Sequence, residues 1–200
     1  MTTTDEYEIC SDPFDPKCVG PCTIYRPGAE PEGAKRFLEK FRGKEEDMIH
    51  NYTRDEEYYL IREQIKKSQG FDVDFSMFRT LFDFYPSILD ESHSRNYPWI
   101  LDESHSTMNQ ETGRDYFGRL AKEAIARYND RDRTSFEVVE VKKAYIYKGS
   151  RYTYFITFVV KNPCDDDNQT KIFQAKVRNV LGTEIVHSFC RQKPDQQVKC

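Results

Sequence analysis

No apolar run in this chain approaches the roughly 20 residues that a membrane-crossing helix needs, so a transmembrane anchor is not expected. No dense Lys/Arg run is present either, which removes the usual electrostatic footprint of nucleic-acid binding. The phosphate-cradling loop G-x-x-x-x-G-K-S/T, the dinucleotide motif G-x-G-x-x-G after a strand, and the zinc motif H-E-x-x-H are all missing. Histidine is scarce, with only His50, His93, His105 and His187, and none sits in a recognised motif with a Cys or Ser nucleophile. The acid-rich stretch Cys164–Gln169 lacks the ligand spacing of a calcium loop. These absences predict no catalytic residues, no metal ligands and no cofactor.

Six cysteines are present, at 10, 18, 22, 164, 190 and 200. Cys10, Cys18 and Cys22 lie in "CSDPFDPKCVGPC", whose spacing is not a paired C-x-x-C zinc pattern and which has no nearby His. The acidic, polar start "MTTTDEYEIC" does not resemble a secretory signal. The expectation is an intracellular chain, cytoplasmic or nuclear, with free thiols.

What is abundant is aromatic side chain: 14 Phe and 13 Tyr in 200 residues, enough burial potential to argue against wholesale disorder. Charge is unevenly placed. Residues 1–110 carry 13 Lys and Arg against 22 Asp and Glu, and residues 111–200 carry 17 against 12, so an acidic front half could attract a basic back half.

Pro13, Pro16, Pro21, Pro27 and Pro31 make residues 1–33 an irregular segment. Residues 34–84 read as a helix-and-strand extension. "EGAKRFLEKF" is a short helix with Phe37 and Phe41 on one side. "TRDEEYYLIREQIKKSQG" carries a capping box, Thr53 with Glu56, an apolar stripe of Tyr58, Ile61 and Ile65, and a stop at Gly70. In "FDVDFS", Phe71, Val73 and Phe75 alternate with polar residues, which predicts a strand with one buried face.

Residues 85–109 hold a tandem repeat: Tyr85–Ser94 recurs at Tyr97–Ser106 with one change, Ser87 to Trp99. Each copy brings Asp, Glu and a single His together. Pro86 and Pro98 argue against a central strand and suit the first turn of a short helix, so a duplicated linker is expected rather than a doubled metal site.

Residues 110–195 carry the sharpest pattern. In "NQETGRDYFGRLAKEAIARYND", Phe117, Leu120, Ala121, Ala124, Ile125 and Tyr128 share one helical face. Four strand-like runs follow. In the first, apolar positions shift from even (Phe136, Val138) to odd (Val139, Val141), predicting a bulge. The second, "RYTYFITFVV", aligns Tyr152, Tyr154, Ile156, Phe158 and Val160 on one face. The third places Phe173, Ala175 and Val177 inward, with Lys176 and Arg178 outward, and the fourth is "TEIVHSFC". The expected class is α+β: an antiparallel sheet of about four strands wrapped on one long helix, with an N-terminal helical extension.

Two stretches in this region resemble the plant cystatins. Leu120-Ala121-Lys122-Glu123-Ala124-Ile125, with Asn129 following, is similar to the family's helix signature, though the family usually has an aromatic where Glu123 stands. Gln174-Ala175-Lys176-Val177 is similar to its second, strand-borne anchor. The likeness covers roughly residues 110–195. "KKSQGFDVDFS" resembles a segment that precedes the cystatin-like domain in a set of crucifer proteins of unknown function.

The resemblance implies a wedge that enters the cleft of papain-like cysteine proteases through a trunk glycine, a Gln-x-Val-x-Gly hairpin and a Pro-Trp loop. Tyr145-Ile146-Tyr147-Lys148-Gly149 aligns with that hairpin, and only the glycine survives. The second loop falls near Val180–Glu184, where no Pro-Trp is present, and Gly113 is the candidate trunk glycine. Three readings stand. One is a cystatin-like interaction protein with degenerate inhibitory loops and an unknown protein partner. The second is a divergent inhibitor of a papain-like protease. The third is a small enzyme or metal protein built on the first half.

Overall fold

The computed structural model describes residues 21–26, 29–92, 111–149, 151–163, 169–180 and 184–194. Among these, helices α1 (Glu32–Arg42) and α2 (Arg54–Ser68) precede a short strand β1 (Phe84–Pro86). The long helix α3 (Gly113–Asp132) follows, then strands β2 (Glu137–Lys148), β3 (Tyr152–Lys161), β4 (Thr170–Val180) and β5 (Glu184–Gln192). The strands form one antiparallel sheet in sequence order, β1-β2-β3-β4-β5. The α+β class therefore holds, but the sheet has five strands where about four were expected. No described helix is long and apolar enough to cross a membrane.

Helix α3 forms as its pattern predicts. Thr112 caps it by accepting the Asp115 N–H at 3.1 Å, satisfying one orphan donor of the first turn. Phe117, Leu120, Ala121, Ala124 and Ile125 are all buried against the inner face of the sheet. At the far end the Asn129 side chain closes the turn into β2. Its amide nitrogen donates to the Phe136 carbonyl at 2.8 Å, and its oxygen accepts the Phe136 N–H at 3.0 Å and the Thr134 hydroxyl at 2.8 Å.

Helix α2 carries the expected capping box. The Thr53 N–H donates to the Glu56 carboxylate at 2.7 Å, and the Thr53 hydroxyl accepts from the Glu56 N–H at 3.3 Å. Its stop spans two left-handed residues, Gln69 (φ 55°) and Gly70 (φ 83°). Ile61 and Ile65 are buried, but α2 packs on the outer face of the sheet, opposite α3. It brings Phe71, Val73, Phe75, Phe78, Phe82 and Phe84 onto Tyr145 and Phe155. The sheet between β1 and β3 is thus covered on both sides.

That second layer corrects three expectations. First, β3 is buried along both faces: Thr153, Phe155, Thr157 and Val159 are buried alongside Tyr154, Ile156, Phe158 and Val160 of the predicted row, whose first member, Tyr152, is half-buried. Second, Lys176, expected outward in solvent, is 3% exposed, and its ammonium lies 5.9 Å from the Phe155 ring centre. Third, the Phe71–Ser76 segment buries the alternating residues as predicted yet makes no ladder, ending in a 3-10 turn at Phe75–Met77. Side chains satisfy it instead. Gln64 accepts the Asp74 N–H at 2.7 Å, and Asp72 pairs with Lys143 and, at 3.1 Å, with Lys193. Partial burial opposes the charge on Asp72, but its lysine partners outweigh that and hold its carboxyl below the usual range.

The first repeat copy opens inside the sheet. Phe84, Tyr85 and Pro86 pair with Tyr147, Ile146 and Tyr145, and all three are buried. Pro86 therefore sits in an edge strand, where a missing N–H is tolerated, and does not start a helical turn. The boundary expected between residues 84 and 85 falls within β1. The end of the first copy, with His93, and the whole second copy, with His105, lie outside the described residues. The predicted bulge of β2 occurs between Val138 and Glu140, and a second register shift follows between Val141 and Lys143.

Gly70 and Gly43 offer a controlled comparison. Both have positive φ, +83° and +76°, so alanine strains the backbone at either. At Gly43 an added Cβ meets nothing within 4 Å, whereas at Gly70 it would lie 2.6 Å from the Phe155 ring. Gly70→Ala is expected to cost about 2 kcal/mol more than Gly43→Ala, the usual scale of overpacking. Urea unfolding of the two variants measures this, and equal costs would show that the Phe155 contact carries nothing.

Candidate functional site

The hairpin joining β2 to β3 carries the five predicted contact residues, and the structure divides them. Tyr145 points to the outer face and is 7% exposed. Its hydroxyl donates to the Val73 carbonyl at 3.2 Å, and its ring packs on Phe75 and Phe84. Ile146 points to the inner face and is fully buried in the α3 core. Tyr147, Lys148 and Gly149 are half-buried at the tip. The Tyr147 ring leans over the turn, so a Cβ on Gly149 would lie 3.1 Å from it. The tip surface is therefore a bulky aromatic and an ammonium stem beside one glycine.

The flank of this hairpin is occupied by the chain itself. Phe84 pairs with Tyr147, and the Lys148 N–H donates to the Asp83 carbonyl at 2.7 Å. Asp83 in turn exchanges hydrogen bonds with Cys22. The Cys22 N–H donates to the Asp83 carboxyl at 2.8 Å, and the Asp83 N–H donates to the Cys22 carbonyl at 2.8 Å. Residues 22–25 thereby add a further layer outside β1, anchored by a Thr23–Phe82 bridge and an Ile24–Leu81 bond of 3.0 Å.

Gly113, the trunk candidate, is the buried first residue of α3. Its N–H donates to the Glu91 carbonyl at 2.9 Å, and the Arg114 N–H donates to the Leu89 carbonyl at 2.7 Å. The repeat's first copy thus supplies acceptors for the start of the helix. The two glycines do not converge through any described contact. Residues 181–183 of the expected second loop lie outside the described residues.

No protein-family model and no curated protein matches the chain.

Other groups with chemical potential are poorly set for catalysis. Burial pushes the Cys190 thiol up to about 12, and burial with the neighbouring Asp83 charge raises Cys22, so neither favours the thiolate that attacks substrates. His187 lies 3.2 Å from Glu123, and burial lowers its pKa, holding the ring neutral. Tyr116 and Tyr154 share a hydroxyl contact of 3.3 Å, and burial raises the Tyr116 phenol. Among the described residues, no three His, Cys, Asp or Glu side chains are grouped as metal ligands.

Sequence reasoning missed Asp83, the one carboxylic acid in the largely apolar run "LFDFY". An isolated acid in such a run was the available signal. Burial pushes its carboxyl up to about 7, against the lowering effect of its hydrogen bonds. Because the unfolded carboxyl titrates near 3.9, the folded state holds the proton more tightly. Asp83 therefore supports folding fully below about pH 4, and that contribution is lost as pH rises to about 7. The stability of Asp83→Asn relative to the parent is expected to climb between pH 4 and pH 7 and then level off. Thermal melts across that range test this, and a difference independent of pH contradicts it.

Proposed function

We propose that this chain is a non-enzymatic, cystatin-like interaction protein whose hairpin no longer serves as a protease wedge. The observation that carries this reading is the lateral cover on the β2–β3 hairpin. A wedge must present bare main chain to a narrow cleft. Here Tyr145 and Ile146 are spent in the core, and β1, Asp83 and Cys22 thicken the flank beside Tyr147 and Lys148. Gly113, the residue aligned with a free trunk, is bound into the start of a helix.

The five-stranded sheet with one long helix on its inner face is compatible with a cystatin-like fold, and the residue resemblance at Leu120–Ile125 and Gln174–Val177 supports it. The raised thiols of Cys22 and Cys190 support a non-catalytic role. The partner in this reading is a protein that meets the covered molecule from outside.

A second reading, divergent inhibition of a papain-like protease, rests on the partial exposure of Tyr147, Lys148 and Gly149. Titration against papain and a plant papain-like protease separates the two. We expect no inhibition at about 10 µM, a concentration that would reveal even weak binding. Inhibition at that level, lost on Gly149→Trp but not on a distant surface change such as Lys161→Gln, would establish the inhibitor reading instead.

A further inference from the structure

In the N-terminal half, α1, the start of α2 and the 79–80 loop line a cavity of about 410 Å³ to which no hairpin residue contributes. Its charged lining is Lys35, Arg42, Arg54 and Arg79 against Glu30 and Glu45, an excess of two positive charges. Ala34 and Leu38, both buried, give it an apolar wall.

This lining is held in place, unlike a chance gathering of surface cations. Glu57 is 1% exposed, and its carboxylate accepts the N–H groups of Arg79 and Thr80 at 2.7 and 2.9 Å, which fixes the loop that presents the Arg79 side chain. Arg79 is further oriented by Asn51 at 2.5 Å. Arg54 donates to the Thr23 hydroxyl and to the Tyr25 carbonyl at 3.3 Å, tying the base of α2 to the segment outside β1. Arg42 donates to the Phe78 carbonyl at 3.3 Å.

The same cations are short of strong acceptors. The Arg42 side chain is 1% exposed, and its Nε has no hydrogen-bond partner among the described residues. Glu45 answers two guanidinium groups only at long range, 3.4 Å to Arg42 and 3.6 Å to Arg79. Lys35 pairs with Glu32, which is 77% exposed at its side chain, so water already competes for that contact.

The geometry points to this cavity as a binding site for a small phosphate monoester, with its phosphate among Arg42, Arg54, Arg79 and Lys35 and its substituent on Ala34 and Leu38. The chemistry selects that class. A phosphate monoester is close to a dianion at neutral pH, matching the local excess, and its oxygens suit the planar fork of arginine. A carboxylate brings half that charge and fewer acceptors. The apolar wall favours an organic ester over bare phosphate. The site lies apart from the hairpin and stands whether or not a protease is inhibited.

Phenyl phosphate, inorganic phosphate and benzoate are the probes, titrated into the full chain while backbone amide shifts are recorded by NMR. Phenyl phosphate is expected to saturate in the millimolar range or tighter, roughly tenfold ahead of the other two. Its shifts should centre on residues 34–54 and 79–80. Lys35→Gln with Arg79→Gln is expected to weaken phenyl phosphate about tenfold or more, and Lys161→Gln to leave it unchanged. The proposal is overturned if phenyl phosphate does not saturate by about 10 mM, if benzoate binds as tightly, or if the shifts map elsewhere. The shift map uses the unaltered chain, so it decides the matter even if the double variant fails to fold.

Discussion

The contact between Phe155 and Gly70 is the constraint around which the rest of the molecule is arranged. Phe155 lies on the outer face of the central strand, where a two-layer protein would expose it, and it is 1% exposed. Covering it requires a helix end to descend onto the sheet without a side chain in the way, and Gly70 provides that. Once α2 is docked, the following chain must cross the same face, and Phe71, Phe75 and Phe84 complete an aromatic layer around Phe155 and Tyr145. Burying such rings is worth about 1.5–3 kcal/mol each, so the N-terminal half is part of the core.

The crossing segment then builds two neighbouring features. It delivers β1 to the side of β2, with Asp83 set between Cys22 and the hairpin. A few residues earlier it leaves the 79–80 loop suspended on Glu57. Burial disfavours the charge of the Asp83 carboxyl, while the Glu57 carboxyl accepts two backbone N–H groups. Among the described residues the acidic front half and basic back half meet explicitly where Asp72 lies between Lys143 and Lys193 and where Asp90 pairs with Arg114 at 2.7 Å.

Much of this was legible before the structure. The buried face of α3, the Thr53–Glu56 box and the bulge near Val139 follow from periodicity and capping chemistry alone. The second layer did not, because a strand's pattern reports a buried face only when its residues are apolar. Thr153, Thr157, Gln174 and Lys176 look like a solvent row, yet all are buried, since distant sequence covers them. The fifth strand was hidden by Pro86, which edge position excuses. The hairpin positions could be located, but their division into core (Tyr145, Ile146) and tip (Tyr147, Lys148, Gly149) depends on Phe84 and Asp83, which alignment of the hairpin alone does not contain.

The duplicated segment acquires a different meaning from the place of its first copy. Tyr85-Pro86 fills the single berth beside Tyr145 and Ile146, and the chain holds the same dipeptide again at Tyr97-Pro98. The two copies are therefore rivals for one strand position. What separates them is the neighbours: Phe84 against Asn96 on one side, and Ser87 against Trp99 on the other. Phe84 is fully buried among aromatic rings, where an asparagine would lose its water without a hydrogen-bond partner. The nine shared positions of the ten-residue unit carry no information about which copy pairs. That choice falls to positions where the copies or their flanks differ, Phe84 against Asn96 among them, and a change there would open a twelve-residue slip as a folding trap.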